Sequence, residues 1–328
     1  MQQREVIDRS MSKVLSGKRI GLDEAMQLIN IDKSEDVEYL LYAADTIRQE
    51  FNGSRVDVES LVNAKSGNCP ENCAYCAQSA WFKTSISKYP LLDVDTLVER
   101  AMQAKSSGAS SFCIVCAWRE ASENEFEHVC NAVKTIRDKV GIEVNCSLGF
   151  LTRRRAERLK ALGVKRYNHN LESSSSFFPR ICTTHTWYDR FNTARIVKES
   201  GLELCSGGII GMGEDVQQRL ELAFEASILE PDEFPLNILI AREGTALHSK
   251  GIHRLSLTDI LKSIAVFRFI MPRGILKVAG GREVHLGEYQ GKALLAGANG
   301  IITNGYLTVG GNNANTDIMM IKRLGLSV

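Results

Sequence analysis

The sequence predicts an α/β protein of eight strand–helix units, the count of a complete (β/α)8 TIM-type barrel, with an N-terminal helical extension and a C-terminal tail. Two observations carry this. Short runs rich in β-branched and apolar residues recur from Arg55 onward, and stretches with helical spacing fall between them. The alternation fills roughly 250 residues, the usual size of such a barrel. An open doubly wound sheet would alternate in the same way, so periodicity alone leaves both architectures standing.

Residues 1–54 read as helices. Leu22, Ala25, Met26, Leu28 and Ile29, then Leu40, Leu41, Ala43 and Ala44, recur at helical spacing. The segment is too short for its own domain and is expected to pack on the outside or end of the barrel. Residues 55–307 form the barrel, with strands expected near 56–63, 110–116, 142–148, 164–171, 202–209, 234–240, 274–280 and 299–303. Helices are expected near 92–107, 121–139, 152–161, 186–200, 214–229, 258–271 and 287–297. Gly108, Gly141, Gly163, Gly201 and Gly274 are expected to end helices. Residues 308–328 begin as a Gly/Asn-rich stretch, read either as a mobile flap over the barrel mouth or as an unstructured tail, and end in a short helix.

The composition, 44% hydrophobic and 24% charged, is that of a soluble globular protein. A formal net charge of +1 points to neither nucleic acid nor an anionic membrane surface as partner. No apolar run approaches the roughly 20 residues of a membrane span. The first 20 residues lack an apolar core, so no signal peptide is expected. Nine cysteines in such a chain fit a reducing cytoplasm, where thiols serve metals or catalysis.

The most informative stretch is Lys65-Ser-Gly-Asn-Cys69-Pro-Glu-Asn-Cys73-Ala-Tyr-Cys76, a C-x3-C-x2-C loop after the first strand. Pro70 breaks regular structure, and Gly67, Asn68 and Asn72 form turns. A structural zinc site closes with four ligands, as does a ferredoxin-type cubane. Three thiolates instead leave one iron of a four-iron cluster open to a ligand. The competing reading is a zinc knuckle completed by a distant residue.

In a barrel, chemistry sits at the C-terminal strand ends. Cys113 and Cys116 close the second strand, Cys146 lies late in the third, Asn170 and Glu172 follow the fourth, Cys205 lies in the fifth and Asn237 in the sixth. If Cys113, Cys116, Cys146 and Cys205 converge, four soft donors suit an iron–sulfur cluster or zinc. Cys113 and Cys116 are three apart, however, and face opposite sides of a regular strand. Cys205-Ser-Gly207-Gly208 opens a Gly-rich turn that allows close backbone approach to a ligand. Asn170 and Glu172 share parity, and Asn237 stands among apolar residues and needs a partner. Cys130 and Cys182 read as structural, and His169 reads either as functional or as a satisfied core histidine.

The loop motif, with Tyr75 before its third cysteine, resembles that of the radical S-adenosylmethionine (SAM) enzymes. KSGNCPENCAYCAQS, SFC…AW, YNHNLE, CSGGIIGMGE, GRE at 281–283 and AGAN at 296–299 resemble the biotin synthase family in particular, over roughly residues 55–326. The resemblance implies the closed barrel, a four-iron cluster on Cys69, Cys73 and Cys76, and SAM contacts from Tyr75, Arg190, Gly207 and Gly208. It implies dethiobiotin contacts from Asn170, Glu172 and Asn237, with Glu172 where the family usually has aspartate.

The family's second, deep cluster is held by three cysteines and an arginine. Cys113 and Cys205 match two of those cysteines. Asn145 takes the place of the third, Cys146 is its neighbour, and Lys277 takes the arginine's place. Four thiolates, from Cys113, Cys116, Cys146 and Cys205, are therefore expected to hold a variant auxiliary cluster, with four irons favoured over two. The resemblance further implies sulfur insertion into dethiobiotin through a 5′-deoxyadenosyl radical, a flavodoxin- or ferredoxin-type electron donor, and a homodimer. The alternatives are a related radical SAM barrel of the methylornithine synthase or hydrogenase-maturation kind, and an iron–sulfur carrier, which would not need an open iron.

Overall fold

The structure, a computed structural model, describes residues 2–328. Three helices lead, α1 (Gln2–Leu15), α2 (Leu22–Ile29) and α3 (Ser34–Asn52). The repeating units follow: β1 (Asp57–Lys65), α4 (Val94–Ser106), β2 (Ser111–Cys116), α5 (Glu123–Lys139), β3 (Glu143–Ser147), α6 (Arg153–Ala161), β4 (Arg166–Asn168) and α7 (Trp187–Glu199). Then come β5 (Glu203–Cys205), β6 (Gly208–Ile210), α8 (Val216–Ile228), β7 (Glu233–Ile238), α9 (Ala246–Ser249), α10 (Leu257–Ile270) and β8 (Ile275–Val278). The chain ends with α11 (Arg282–Leu286), α12 (Gln290–Leu294), β9 (Gly300–Thr303) and α13 (Ala314–Arg323).

Every strand pairs in parallel, in the order β5-β4-β3-β2-β1-β9-β8-β7-β6. Cys205 of β5 also pairs with Glu233 of β7, which closes the ring. The sheet is therefore a closed barrel, and the open sheet is excluded. β5 and β6 are two halves of one barrel position, interrupted at Ser206–Gly207, so nine segments make eight strands.

The helices start where the sequence offers a cap. Asp93, Ser122, Thr152, Thr186, Asp215 and Ser256 each accept a hydrogen bond from the N–H three residues on, which satisfies one orphan donor of the first turn. α1–α3 bury Ala25, Leu28, Leu40, Ala44 and Ile47 and pack on α8 and α10 of the outer layer.

Two local expectations fail for definable reasons. Gly108, Gly141, Gly163 and Gly201 follow helices with left-handed φ, but Gly274 does not. There α10 stops at Ile270 because Met271 precedes Pro272 and is extended, with φ −123° and ψ 76°. The expected helix over 287–297 is reduced to a 3-10 turn at Gly287–Tyr289 and the short α12, and α11 ends just before it, where Gly287 takes φ 50°. In the tail, Tyr306 Oη donates to Glu283 Oε2 at 2.8 Å and Asn63 Nδ2 donates to Leu307 O at 3.2 Å. These bonds draw residues 306–309 over the barrel mouth.

Candidate active site

The loop after β1 is fixed by its own backbone. Gly67 and Asn68 take φ values of 76° and 57°, which glycine and asparagine tolerate best. Cys69 N–H donates to Gln78 O at 3.0 Å, and Ala80 N–H donates back to Cys69 O at 2.8 Å. Gln78 Oε1 accepts from Gly67 N–H at 2.6 Å. So held, Cys69, Cys73, Cys76 and Tyr75 line one cavity of about 420 Å³, a volume suited to a cofactor and a small substrate. Burial pushes the Cys76 thiol up to about 11 and raises Cys69 as well. Metal binding here must therefore displace protons. Three thiols at one cavity fit a cluster with one open iron. A fourth, Cys182, lies 3.9 Å from Cys73 but does not line the cavity.

Cys73, Cys182 and His185 bring three ligand-type atoms within 4.8 Å of one another. Hydrogen bonding argues against a metal site there. Arg190 Nε, which can only donate, meets His185 Nε2 at 3.0 Å. The ring proton is therefore on Nδ1, 2.6 Å from Glu71 Oε2, and a protonated nitrogen is no ligand.

The same cavity is lined by Arg190, Asn170, Glu172 and Asn237. Arg190 NH1 donates to Asn170 O at 2.7 Å and lies 3.7 Å from Glu172 Oε1. Glu172 has φ 70°, and burial raises its carboxyl even against Arg190. Asn170 Oδ1 accepts from Gly207 N–H at 3.1 Å, and Asn237 Oδ1 accepts from Gly280 N–H at 2.9 Å. Both amides are thus oriented by backbone. His169 is held neutral, its pKa pushed well below 6.5 by burial and by Arg190.

Gly207 and Gly208 do not line the cavity. A Cβ on Gly207 would lie 2.2 Å from Pro235 O, and one on Gly208 would lie 2.7 Å from Glu172 O. These glycines serve strand packing. Gly208→Ala is expected to destabilise the fold by roughly 1–3 kcal/mol, as overpacking does, read as a lower denaturant midpoint at unchanged m-value.

Deeper in the barrel the strand period separates the four cysteines. Asn145 Nδ2 donates to Glu59 Oε1 at 2.7 Å inside the barrel, so its neighbour Cys146 faces outward. Cys146 lies beside Cys116 and Cys130, the latter on α5. Cys116, on the opposite parity to Cys113, has Lys65 and Glu125 as its nearest charges and, at the end of β2, also lines the cavity. Inside are Cys113, which accepts from Asn168 Nδ2 at 3.5 Å, and Cys205, 3.2 Å from Glu233 Oε1. The expected four-thiolate set is therefore corrected by the loss of Cys146: Cys113 and Cys205 face inward, Cys116 stands at the cavity wall, and the thiol count no longer argues for four irons. Asn145 Oδ1 and Asn168 Oδ1 are buried without a hydrogen-bond partner, an arrangement that fits a ligand-binding interior.

Sequence reasoning missed the charged floor beneath these thiols. Lys277 Nζ is fully buried between Asp57 (2.9 Å), Glu59 (2.7 Å) and Glu233 (2.9 Å). Burial opposes its charge, but Asp57, Glu233 and Glu59 outweigh it and hold the ammonium well above the usual lysine range. Lys277 is thus a counter-ion, not a metal ligand. Glu71 and His185 were also missed, although Glu71 lies between two of the loop cysteines.

Residues 64–226 match the Radical SAM superfamily, and residues 235–327 match the Biotin and Thiamin Synthesis associated domain. The chain is 48% identical over 326 residues to the biotin synthase of Nitrosopumilus maritimus, covering 99% of each chain. It is 49% identical over 315 residues to that of Cenarchaeum symbiosum, covering 96% of this chain and 97% of the other. In fold it resembles methylornithine synthase, with TM-score 0.84 at 18% identity over 97% and 96% of the two chains. A FeFe-hydrogenase maturase from Carboxydothermus hydrogenoformans gives TM-score 0.81 at 18% identity, over 98% of this chain and 78% of the maturase.

Proposed function

The chain belongs to the biotin synthase family of the radical SAM superfamily, and from that premise we propose how its residues divide the reaction. The enzyme is a radical SAM sulfurtransferase that converts dethiobiotin to biotin. When bound, the loop cluster supplies the electron that splits SAM into methionine and the 5′-deoxyadenosyl radical, and the auxiliary cluster supplies the sulfur.

Cys69, Cys73 and Cys76 hold the four-iron cluster and leave one iron for SAM. Arg190 takes the SAM carboxylate, for which a guanidinium is suited by geometry and charge, and Tyr75 walls the same space. Asn170 and Asn237, both oriented by backbone bonds, take the ureido ring of dethiobiotin, and Glu172 stands beside them. Cys113 and Cys205 hold the auxiliary cluster, with the free amide oxygens of Asn145 and Asn168 turned toward that space. The barrel wall around the cavity keeps water from the radical. The observation that carries the reading is that one cavity is walled by three loop thiols, Arg190 and both asparagines, with Cys113 lining it as well.

The test is anaerobic reconstitution followed by assay of 5′-deoxyadenosine and biotin. SAM cleavage that depends on Cys73 and biotin formation that depends on added dethiobiotin support the reading; cleavage that persists in Cys73→Ala ends it. Asn237→Ala is expected to raise KM for dethiobiotin about tenfold, the cost of one buried hydrogen bond, and to leave KM for SAM unchanged. On the family's ground, the electron donor is a flavodoxin or ferredoxin and the enzyme is a homodimer. Cytoplasmic location is supported by nine free cysteines, and no helix among the described residues is long and apolar enough to cross a membrane.

A further inference from the structure

SAM must meet two protein elements at once, the cluster on the loop after β1 and Arg190 on α7. These elements are more than a hundred residues apart in sequence, yet one unbroken chain of hydrogen bonds joins them. Glu71 lies within the loop, between Cys69 and Cys73. Its Oε1 accepts from Arg119 NH1 at 2.7 Å, and its Oε2 accepts from Thr184 Oγ1 and from His185 Nδ1–H at 2.6 Å. His185 Nε2 then accepts from Arg190 Nε at 3.0 Å. Arg190 NH1 gives one of its two N–H groups to Asn170 O at 2.7 Å, so NH2 and the second N–H of NH1 are left for a ligand.

The polarity of the chain is fixed from both ends. Arg190 can only donate, and the ionised carboxylate of Glu71 can only accept, so the imidazole has one tautomer. Rings on two sides hold its plane, with Phe150 at 5.4 Å and Phe178 at 5.5 Å between centroids. His185 and Glu71 are both buried, so solvent does not compete for these bonds. The backbone of Cys69 is fixed separately, through Gln78 and Ala80, while Thr184 Oγ1 also accepts from Asn72 N–H at 3.1 Å, so the network meets the loop beside Cys73 as well.

We propose that Glu71 and His185 are positioning residues for SAM: they lock the Arg190 guanidinium to the cluster loop, so that carboxylate anchor and open iron keep one fixed separation. The proposal rests on the reading of Arg190 as the SAM carboxylate partner. An error of about 1 Å in such a separation costs on the order of a hundredfold.

The experiment measures SAM binding to the anaerobically reconstituted enzyme, by equilibrium dialysis and by the SAM-induced change in the EPR spectrum of the reduced loop cluster. His185→Phe keeps ring and volume but removes both hydrogen bonds. It is expected to weaken SAM binding roughly 10–100-fold, as loss of an outer-shell partner does, and to raise KM for SAM with KM for dethiobiotin unchanged. His185→Gln, which can accept from Arg190 and donate to Glu71, is expected to recover most of the affinity. Because His185 acts through Arg190, the double variant His185→Phe/Arg190→Lys is expected to bind no worse than Arg190→Lys alone.

His185→Phe binding SAM within about twofold of the parent, or losses that multiply in the double variant, would overturn the proposal. Arg190→Lys binding SAM like the parent instead removes the reading on which it rests, a separate result. If His185→Phe fails to retain about four loop irons, Glu71→Gln carries the test: weakening confined to SAM supports the lock, and unchanged affinity overturns it.

Discussion

Cys205→Ala is expected to abolish biotin formation while Cys146→Ala leaves it close to the parental rate. The two thiols lie on adjoining parts of one barrel and both are fully buried, so burial does not distinguish them; strand parity does. Cys205 points inward beside Glu233, whereas Cys146 points outward toward Cys116 and Cys130. With Cys205 removed, iron per chain should fall by the whole auxiliary complement, about 2 or about 4 atoms according to cluster type. SAM cleavage by the loop cluster should persist. Cys146→Ala should keep all its iron and lose only the few kcal/mol or less of a small core truncation, roughly 1–2. Parallel iron analysis, deoxyadenosine release and denaturant unfolding separate these outcomes. Equal loss of iron in both variants would return Cys146 to the cluster.

Lys277→Met is expected to cost roughly 3–5 kcal/mol at neutral pH, because it leaves buried carboxylates without their cation. Three of them, Asp57, Glu59 and Glu233, lie within 2.9 Å of Nζ. Arg166 is also paired to Glu233, so one further cation remains and Lys277→Arg should be milder. The pH dependence has a definite sign. The folded-state pKa of Lys277 is raised well above the ordinary lysine value of 10.5. Its stabilisation is therefore full at every pH below the unfolded lysine value and falls only as pH rises through the raised one. Between about pH 5 and 9 the parent owes no slope to this group. In Lys277→Met the uncompensated carboxylates favour protonation, so stability should recover as pH falls toward 5. Urea midpoints of both proteins over that range check it, and parallel curves would show that the buried charges are compensated elsewhere.

The barrel was legible because its cause is local. Val, Ile and Leu runs such as Phe112–Val115 and Ile275–Val278 can be buried on both faces only in a parallel sheet, and the caps Asp93 to Ser256 mark each helix start. The interruption at Ser206–Gly207 was hidden because the flanking residues stay apolar on both sides of it. Among site residues, the loop cysteines announce themselves by spacing. Cys146 misled for the opposite reason: its position beside Asn145 suggested a shifted ligand, when a shift of one residue in a strand reverses the face. Asn145, not Cys146, kept the inward place. Lys277 and its carboxylates were out of reach, since the bond from Lys277 to Glu59 spans 218 positions and no periodicity links them.

The tail segment over the barrel mouth bears on timing as well as on shape. Tyr306, Leu307, Thr308 and Val309 form part of the cavity wall, held by single bonds to Glu283 and Asn63. Forming the thiophane ring takes two hydrogen abstractions from one substrate, and spent methionine and deoxyadenosine must leave between them while the half-sulfurated molecule stays. The asparagines opposite are anchored in the sheet, so of the two walls the tail is the one tied by the fewer bonds. Loosening that wall, for instance by Tyr306→Phe, should therefore change the yield of finished product per molecule of SAM consumed, through a segment that takes no part in the chemistry.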